Sequence, residues 1–239
     1  MKWRGTSLLG DEVGLNQYAL QGRYDITKVS SRTYLNIRDR YRLLDVGAAM
    51  GYGCGPLVIS NKAVSRTQLT QCSIAFPGAA TTAYALFKML GVPSGQQIFT
   101  RYDNIVPMLL DGRVDCGVII HESRFTLPEL DLHCLIDLGA WWEQETRLPL
   151  PLGCAVMKQE LYADYGALFE QHIRQHLQDP CARPAAVRAY IRSHAQELRP
   201  DVIDAHIALY VNDFTAALGK QGRVAFDALA RRLESAEIA

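Results

Sequence analysis

The stretch from Val118 to Thr126 contains the residues best suited to chemistry. An apolar run, Val118–Ile120, ends abruptly at His121 and Glu122. Such a run is typical of a buried strand in an α/β protein, and ligands bind beyond the carboxyl ends of parallel strands. Histidine is well suited to proton transfer near neutral pH, and a neighbouring carboxylate can orient it. We therefore predict His121 as a candidate general base; a loop histidine bonded only to backbone is the alternative.

Two predicted strand-to-helix turns place hydroxyl groups where a ligand could bind. In one, small residues follow a strand and lead into a helix that begins near Thr81 and Thr82. In the other, Ser30 and Ser31 follow a short strand and begin the next helix. The N-terminus of a helix attracts carboxylates and phosphates, because its first amides are unbonded and its dipole is positive there. These hydroxyls are therefore candidates for substrate binding, with helix capping as an equally good explanation.

Glycines at 51, 53 and 55 precede another predicted strand. We single out Gly53 as a candidate cleft-lining residue, although such glycines more often only make turns. The sequence contains no G-x-G-x-x-G motif and no Walker lysine. A dinucleotide or a nucleoside triphosphate is therefore not indicated.

Cysteine spacing argues against both a zinc site and a disulfide framework. The six cysteines lie at positions 54, 72, 116, 134, 154 and 181, with no C-x-x-C pair. Cys116 and Cys154 fall within apolar runs and are expected to be small buried hydrophobic residues. We expect a reducing cytoplasmic location, and scattered histidines without a second ligand nearby predict no metal.

The charge balance shapes which partners are expected. Lys and Arg together number 25, as do Asp and Glu, so the formal net charge is zero. A nucleic-acid partner is therefore not expected, whereas one local pocket could still bind an anionic small molecule. The N-terminus lacks the apolar core of a secretory signal, and no apolar run approaches the roughly 18 residues of a membrane span.

Strands and helices alternate through the first two-thirds of the chain, and helices alone are predicted after Lys158. Alternating βαβ units favour parallel sheets with helices on both faces. We predict two α/β lobes around a central cleft, with residues 1–70 and 160–239 in lobe 1 and residues 71–159 in lobe 2. Clefts between lobes commonly bind small molecules. The predicted strands are 25–29, 55–60, 73–76, 116–120, 135–137 and 152–157, and the predicted helices are 15–20, 33–40, 81–90, 104–110, 141–143, 160–178, 185–198, 201–211 and 224–233.

Seven segments, taken in order, resemble one protein family. The chain resembles the 1,4-dihydroxy-6-naphthoate synthase family, of the futalosine route to menaquinone, from about Leu15 to Leu229. The segments are ITKVS at 26–30, GCGPLV at 53–58, PG with TTA at 77–83, HESRFT at 121–126, DLGAWW at 137–142, LPLPLG at 148–153 and HIALYVN at 206–212.

This resemblance implies a two-lobed α/β fold like that of type II periplasmic binding proteins, with a helical C-terminal region, in a cytoplasmic enzyme. It implies a lyase that converts cyclic dehypoxanthine futalosine to 1,4-dihydroxy-6-naphthoate without a metal or organic cofactor. His121 would be the catalytic base, although the residues alone do not separate a base from a nucleophile. Ser30, Ser31, Thr81 and Thr82 would hold polar groups of an anionic substrate, and the enzyme could be a homodimer.

The N-terminal region departs from the family pattern. Members usually begin with a strand and a Ser-Pro-Cys-Pro-Asn-Asp-Thr-Phe-like loop that reaches the cleft. This sequence first matches near Leu15 and Asn16, so the resemblance predicts that part of lobe 1 and of its pocket is missing. Two other functions stay open: a non-catalytic binder of a small carboxylate, and a chorismate dehydratase, a sibling with the same fold. The segment from His121 to Thr126 favours the synthase over that sibling.

Overall fold

The computed structural model describes residues 10, 12–120, 123–178, 189–191, 193 and 199–236. His121 and most of the predicted helix 185–198 lie outside this part of the chain. The helices are α1 Glu12–Leu20, α2 Ser31–Ile37, α3 Thr82–Met89, α4 Tyr102–Leu110, α5 Ser123–Thr126, α6 Leu138–Thr146, α7 Gln159–Gln178, α8 Pro200–Tyr210, α9 Asp213–Ala216 and α10 Gly219–Ser235. The strands are β1 Ile26–Ser30, β2 Tyr41–Leu43, β3 Ala49–Gly51, β4 Leu57–Ser60, β5 Ile74–Phe76, β6 Gln97–Phe99, β7 Cys116–Ile119, β8 His133–Asp137 and β9 Leu150–Lys158.

The first sheet is built around β9, which pairs with β1, β2 and β3. All three pairings are antiparallel, with Val29 opposite Cys154, Leu43 opposite Val156 and Gly51 opposite Leu150. The prediction of parallel pairing is wrong for this sheet. Strands β1, β2 and β3, which follow one another in the sequence, do not pair with one another. Each pairs with β9, which follows the strands of the second sheet in the sequence.

The second sheet is mixed and has the strand order β6-β5-β7-β4-β8. Strand β5 is parallel to both β6 and β7, as the βαβ pattern predicts. Strand β4 is antiparallel to β7 and to β8. Parallel pairing is therefore confirmed around β5 and wrong around β4, which enters the sheet directly from the first sheet without a crossover helix.

Sheet membership differs from the predicted lobes at two strands. Strand β4, assigned by sequence to lobe 1, belongs to the second sheet, and β9, assigned to lobe 2, is the central strand of the first. The chain thus crosses between the sheets at residues 52–56 and again at 138–149. These two strands were misassigned because the polarity pattern of a strand does not reveal which sheet it joins. The lobe boundaries themselves stay a prediction.

Three residues define the ends of helices in the structure. Helix α1 ends just before Gly22, whose φ of 70° is the left-handed conformation that stops a helix. Ser30 is the N-cap of α2, and its hydroxyl accepts the Thr33 amide at 3.1 Å. Asp137 caps α6 by accepting the Ala140 amide at 2.9 Å. The strands β2, β3 and β6 were not predicted. Each has only three residues, and unlike the buried three-residue strand β5, none is a continuous apolar run.

Large aromatic side chains fill part of the core. Phe76 of β5 packs edge-on against Tyr84 and Phe87 of α3, with ring centroids 5.1 and 5.0 Å apart. Trp142 is fully buried, and its indole N–H donates to the Pro149 carbonyl at 3.2 Å. The expectation that Cys116 and Cys154 are buried is confirmed.

The C-terminal helices pack back onto the first sheet. In α10, Ala225, Phe226 and Leu229 are buried, and the helix contacts β9, α2 and α3. Arg174 of α7 bonds the Asp45 carboxylate at 2.9 Å and so ties that helix to the loop after β2. Within the described ranges, no helix is long and apolar enough to cross a membrane.

The tightest backbone approach joins α6 to the loop before β4. A methyl group on Gly139 would overlap the Cys54 carbonyl oxygen, and one on Gly55 would lie 2.8 Å from the Gly139 Cα. The Leu138 amide donates to the Pro56 carbonyl at 3.0 Å in the same place. Two backbone segments therefore meet where side chains cannot fit.

Gly139→Ala should lower the free energy of unfolding by about 3 kcal/mol, because two rigid backbones must separate to admit the methyl group. Chemical denaturation of both proteins measures this difference. The control is Gly166→Ala in α7, where the nearest atoms belong to the Tyr162 ring and not to backbone. Equal stability of the Gly139→Ala variant and the parent protein would contradict the close approach.

Candidate functional site

A cavity of about 350 Å³ opens between the two sheets. This volume lies near the lower end of the range for small-molecule pockets. The wall is mostly apolar, and none of the described residues that form it is acidic. The lining residues are Leu15, Lys28, Val29, Ala49, Gly55, Pro56, Thr82, Ala83, Ile120, Leu152, Gly153, His206 and Tyr210.

The predicted base, His121, directly follows a cavity-lining residue in the sequence. Ile120, at the end of β7, forms part of the wall. His121 and Glu122 lie outside the described residues, and the description resumes at Ser123 in α5. The role of His121 therefore stays a prediction, supported by the position of its neighbour at the cavity.

The two threonines have different environments. The Thr81 hydroxyl caps α3, since it accepts the Tyr84 amide at 3.2 Å and donates to the Gly78 carbonyl at 2.7 Å. Thr82 lines the cavity, but its hydroxyl donates to the Leu152 carbonyl at 2.9 Å and accepts the Arg32 amide at 3.3 Å. The Thr82 hydroxyl thus joins α3, α2 and β9, and it is already engaged with protein groups.

The first amides of α3 remain available at the cavity. In the described part of the chain, the amides of Thr82 and Ala83 donate to no carbonyl or side chain. Both residues line the cavity. Unbonded amides at a helix N-terminus favour an anionic group. Backbone N–H groups are therefore better placed than the threonine hydroxyls to contact an anion here.

Ser30 and Ser31 lie beside the α3 turn and outside the cavity wall. The Ser30 hydroxyl lies 2.7 Å from the Ala80 carbonyl oxygen, which joins the two predicted turns directly. The Ser30 amide donates to the Asn16 side-chain oxygen at 2.8 Å. Ser31 is fully buried, and its hydroxyl has no hydrogen-bond partner within the described ranges. The structure therefore brings the two predicted turns together. Of their four candidate residues, Thr82 is the one that lines the cavity.

Gly53 is exposed and does not line the cavity. Its amide donates to the Glu143 carboxylate at 2.7 Å, and its φ is 64°. The neighbouring Gly55 and Pro56 form the wall instead. A contact between Gly53 and substrate stays a prediction.

Sequence reasoning gave too little weight to three lining residues. Lys28, His206 and Tyr210 were not selected as candidate site residues, but all three border the cavity. His206 and Tyr210 are one turn apart on α8, with ring centroids 4.7 Å apart. Their spacing of four residues is the signal that places two side chains on one face of a helix.

A cluster of polar groups lies behind Tyr210. Arg124 of α5 donates to the Gly55 carbonyl at 3.2 Å and to the Asp137 carboxylate at 3.3 Å. Burial raises the pKa of Tyr210 to about 12, and the positive charge of Arg124 opposes that rise. Burial also raises the pKa of the Cys54 thiol to about 12. Both groups are therefore protonated near neutral pH.

The fold, in which a cavity lies between two sheets, is that of periplasmic binding proteins. The alkanesulfonate-binding protein SsuA from Xanthomonas axonopodis pv. citri has this fold, with a TM-score of 0.67 over 95% of this chain and 80% of that one at 15% identity. A solved protein from Archaeoglobus fulgidus has a TM-score of 0.90 over 97% of this chain and 86% of that one at 29% identity.

The chain belongs to the menaquinone biosynthesis family, whose model matches residues 7–235. The 1,4-dihydroxy-6-naphthoate synthase of Thermus thermophilus is 41% identical over 233 residues, which cover 96% of this chain and 82% of that enzyme. The family and the fold class that the sequence motifs implied are thereby confirmed.

Thr82→Val should destabilise the protein by roughly 1–3 kcal/mol, because it leaves the partly buried Leu152 carbonyl and Arg32 amide without their partner. Thr82→Ser keeps the hydroxyl and should lose much less. Thermal or chemical denaturation of both variants measures the difference. Equal stability of the Thr82→Val and Thr82→Ser variants would contradict this hydrogen-bonding role.

Cys54 should resist alkylation in the folded protein. Only the thiolate reacts, and at pH 8 a thiol with a pKa of about 12 is almost entirely protonated as well as buried. Iodoacetamide labelling followed by peptide mapping should modify the exposed Cys134 first. Labelling in denaturant is the control, in which Cys54 and Cys134 should react alike. Equal labelling of both in the native protein would show that Cys54 is accessible as a nucleophile.

Proposed function

We propose that this chain is a cytoplasmic lyase that converts cyclic dehypoxanthine futalosine to 1,4-dihydroxy-6-naphthoate in menaquinone biosynthesis. The observation that carries the proposal is the cavity between the sheets of a chain that belongs to this family. The name and the 41% identity of the Thermus relative support the same activity.

The chemistry of the wall suits this substrate class. An apolar surface can hold a flat fused ring, while Lys28 and the free amides of Thr82 and Ala83 offer positive potential to an anionic group. The absence of acidic side chains among the described lining residues avoids repulsion of that anion. The cavity therefore favours an aromatic carboxylate over a neutral or cationic ligand.

His121 is proposed as the base that starts the reaction. Removal of a proton from the substrate begins a carbon–carbon cleavage that ends in an aromatic ring, and aromatisation supplies driving force. The protein then contributes mainly a base, positioning and an anion contact. The position of Ile120 in the wall supports this assignment, since His121 follows it directly.

His121→Ala should lower kcat roughly a hundredfold or more, because general-base catalysis contributes on that scale. Turnover of cyclic dehypoxanthine futalosine, followed as dihydroxynaphthoate by chromatography, measures the effect. His172→Ala on the exposed face of α7 is the matched control and should keep full activity.

Four results would change the proposal. If the His121→Ala variant stays active, His121 is not the base, but the chain is still a lyase. Binding of dihydroxynaphthoate without turnover would favour the non-catalytic carboxylate binder, and turnover of chorismate instead would favour the dehydratase. Product only from a version extended at its N-terminus with the strand and loop usual in the family would assign part of the site to that segment.

A further inference from the structure

Only two residues separate the cavity wall from helix α5, and the proposed base is one of them. Ile120 lines the cavity at the end of β7, α5 begins at Ser123, and His121 lies between them in the sequence. Strand β7 is fully buried between β5 and β4, which fixes the first end of this short segment. The second end depends on what holds α5, because a helix of four residues has little stability of its own.

Arg124 holds α5 against the loop that precedes β4. Its guanidinium donates to the Gly55 carbonyl at 3.2 Å and to the Asp137 carboxylate at 3.3 Å. Its side chain is only 16% exposed, and Arg124 is not among the described residues that line the cavity, whereas Gly55 is. An effect of Arg124 on a bound ligand would therefore pass through the residues that it holds in place.

Both acceptors of Arg124 belong to a rigid part of the structure. Gly55 lies against Gly139, where a methyl group on either residue would overlap the other backbone segment. One Asp137 oxygen accepts the Ala140 amide at 2.9 Å and caps α6, while the other accepts Arg124. The acceptors are thus held independently of α5, so the two bonds fix α5 relative to the cavity wall.

A second anchor keeps α5 attached to the core when Arg124 is removed. Leu127, the residue after this helix, is buried in an apolar cluster with Ile105 and Leu109 of α4. Loss of the guanidinium should therefore loosen α5 without detaching it. A displacement of about 1 Å in a catalytic group can cost roughly a hundredfold in rate, so a small movement here is enough to slow the reaction.

We propose that Arg124 is a positioning residue, which holds the segment of His121 against Gly55 and Asp137 and so keeps the proposed base at the cavity. The inference rests on the proposed function, in which His121 removes a proton from the substrate. A carbonyl and a carboxylate converge on one guanidinium, whose planar group donates in fixed directions. The two bonds therefore set the position of α5 as well as its attachment, and Arg124 contributes to kcat more than to substrate binding.

The test measures kcat and KM of Arg124→Ala, His121→Ala and the double variant in the full chain, with chemical denaturation of each to check folding. Arg124→Ala should lower kcat roughly tenfold to a hundredfold and change KM by less than about threefold, because the base is displaced while the cavity wall stays in place. In the His121→Ala background the same change should cost almost nothing further, because Arg124 acts through this histidine.

Added guanidinium gives a second readout. At millimolar concentrations, far below those that unfold proteins, guanidinium chloride should restore part of the kcat of Arg124→Ala, because the ion can bond the two acceptors that the side chain has left. The matched control is Arg113→Ala, which removes an exposed arginine paired with Asp111 at 3.2 Å. This control should match the parent protein with and without added guanidinium.

Two results would overturn the positioning role and leave the lyase in place. One is an active parent protein with the kcat of folded Arg124→Ala within about twofold of it. The other is an equal fold loss from Arg124→Ala in the parent protein and in the His121→Ala background, since Arg124 would then act independently of the histidine. If Arg124→Ala does not fold, Arg124→Gln, which keeps most of the side chain, replaces it under the same criteria. If the parent protein neither turns over the substrate nor binds dihydroxynaphthoate, the proposed function fails and this inference fails with it.

Discussion

The first sheet depends on one strand. In the described part of the chain, β1, β2 and β3 each pair with β9 and not with one another. Without β9, the backbone amides and carbonyls of three short strands would have no sheet partners. A strand of three residues cannot stand alone, so this one returning segment determines whether half of the fold exists.

The same strand organises the cavity. Leu152 and Gly153 of β9 form part of its wall, and the Leu152 carbonyl accepts the Thr82 hydroxyl at 2.9 Å. Helix α3, which belongs with the second sheet, is thereby fixed to the central strand of the first. The opposite wall depends on a comparable junction, in which Gly139 and Gly55 allow two backbones to touch. The site is thus built where the chain passes between sheets, which explains why its wall draws on distant parts of the sequence.

The sequence predicted most of the helices, the principal strands and the family, but not how the strands pair. Local signals were sufficient for the Ser30 cap and for the helix stop at Gly22, because the residues concerned lie within one turn of each other. The pairing of β1 with β9 depends on contacts between residues far apart, which a pattern of alternating polarity does not encode. For the site, the motifs located both threonine and serine turns, whereas Tyr210 was missed because it reaches the cavity from α8, far along the sequence from those turns.

The late position of β9 in the sequence also affects the order in which the two sheets fold. A chain made from its N-terminus presents β1, β2 and β3 before their common partner has been synthesised, and pairing Ile26 with Met157 closes a long loop. Such non-local pairings form slowly, and unpaired strand edges are prone to associate with other chains meanwhile. The second sheet, whose strands all precede β9, can assemble first, so the first sheet would be the last part of the protein to mature and the part most exposed to aggregation during synthesis.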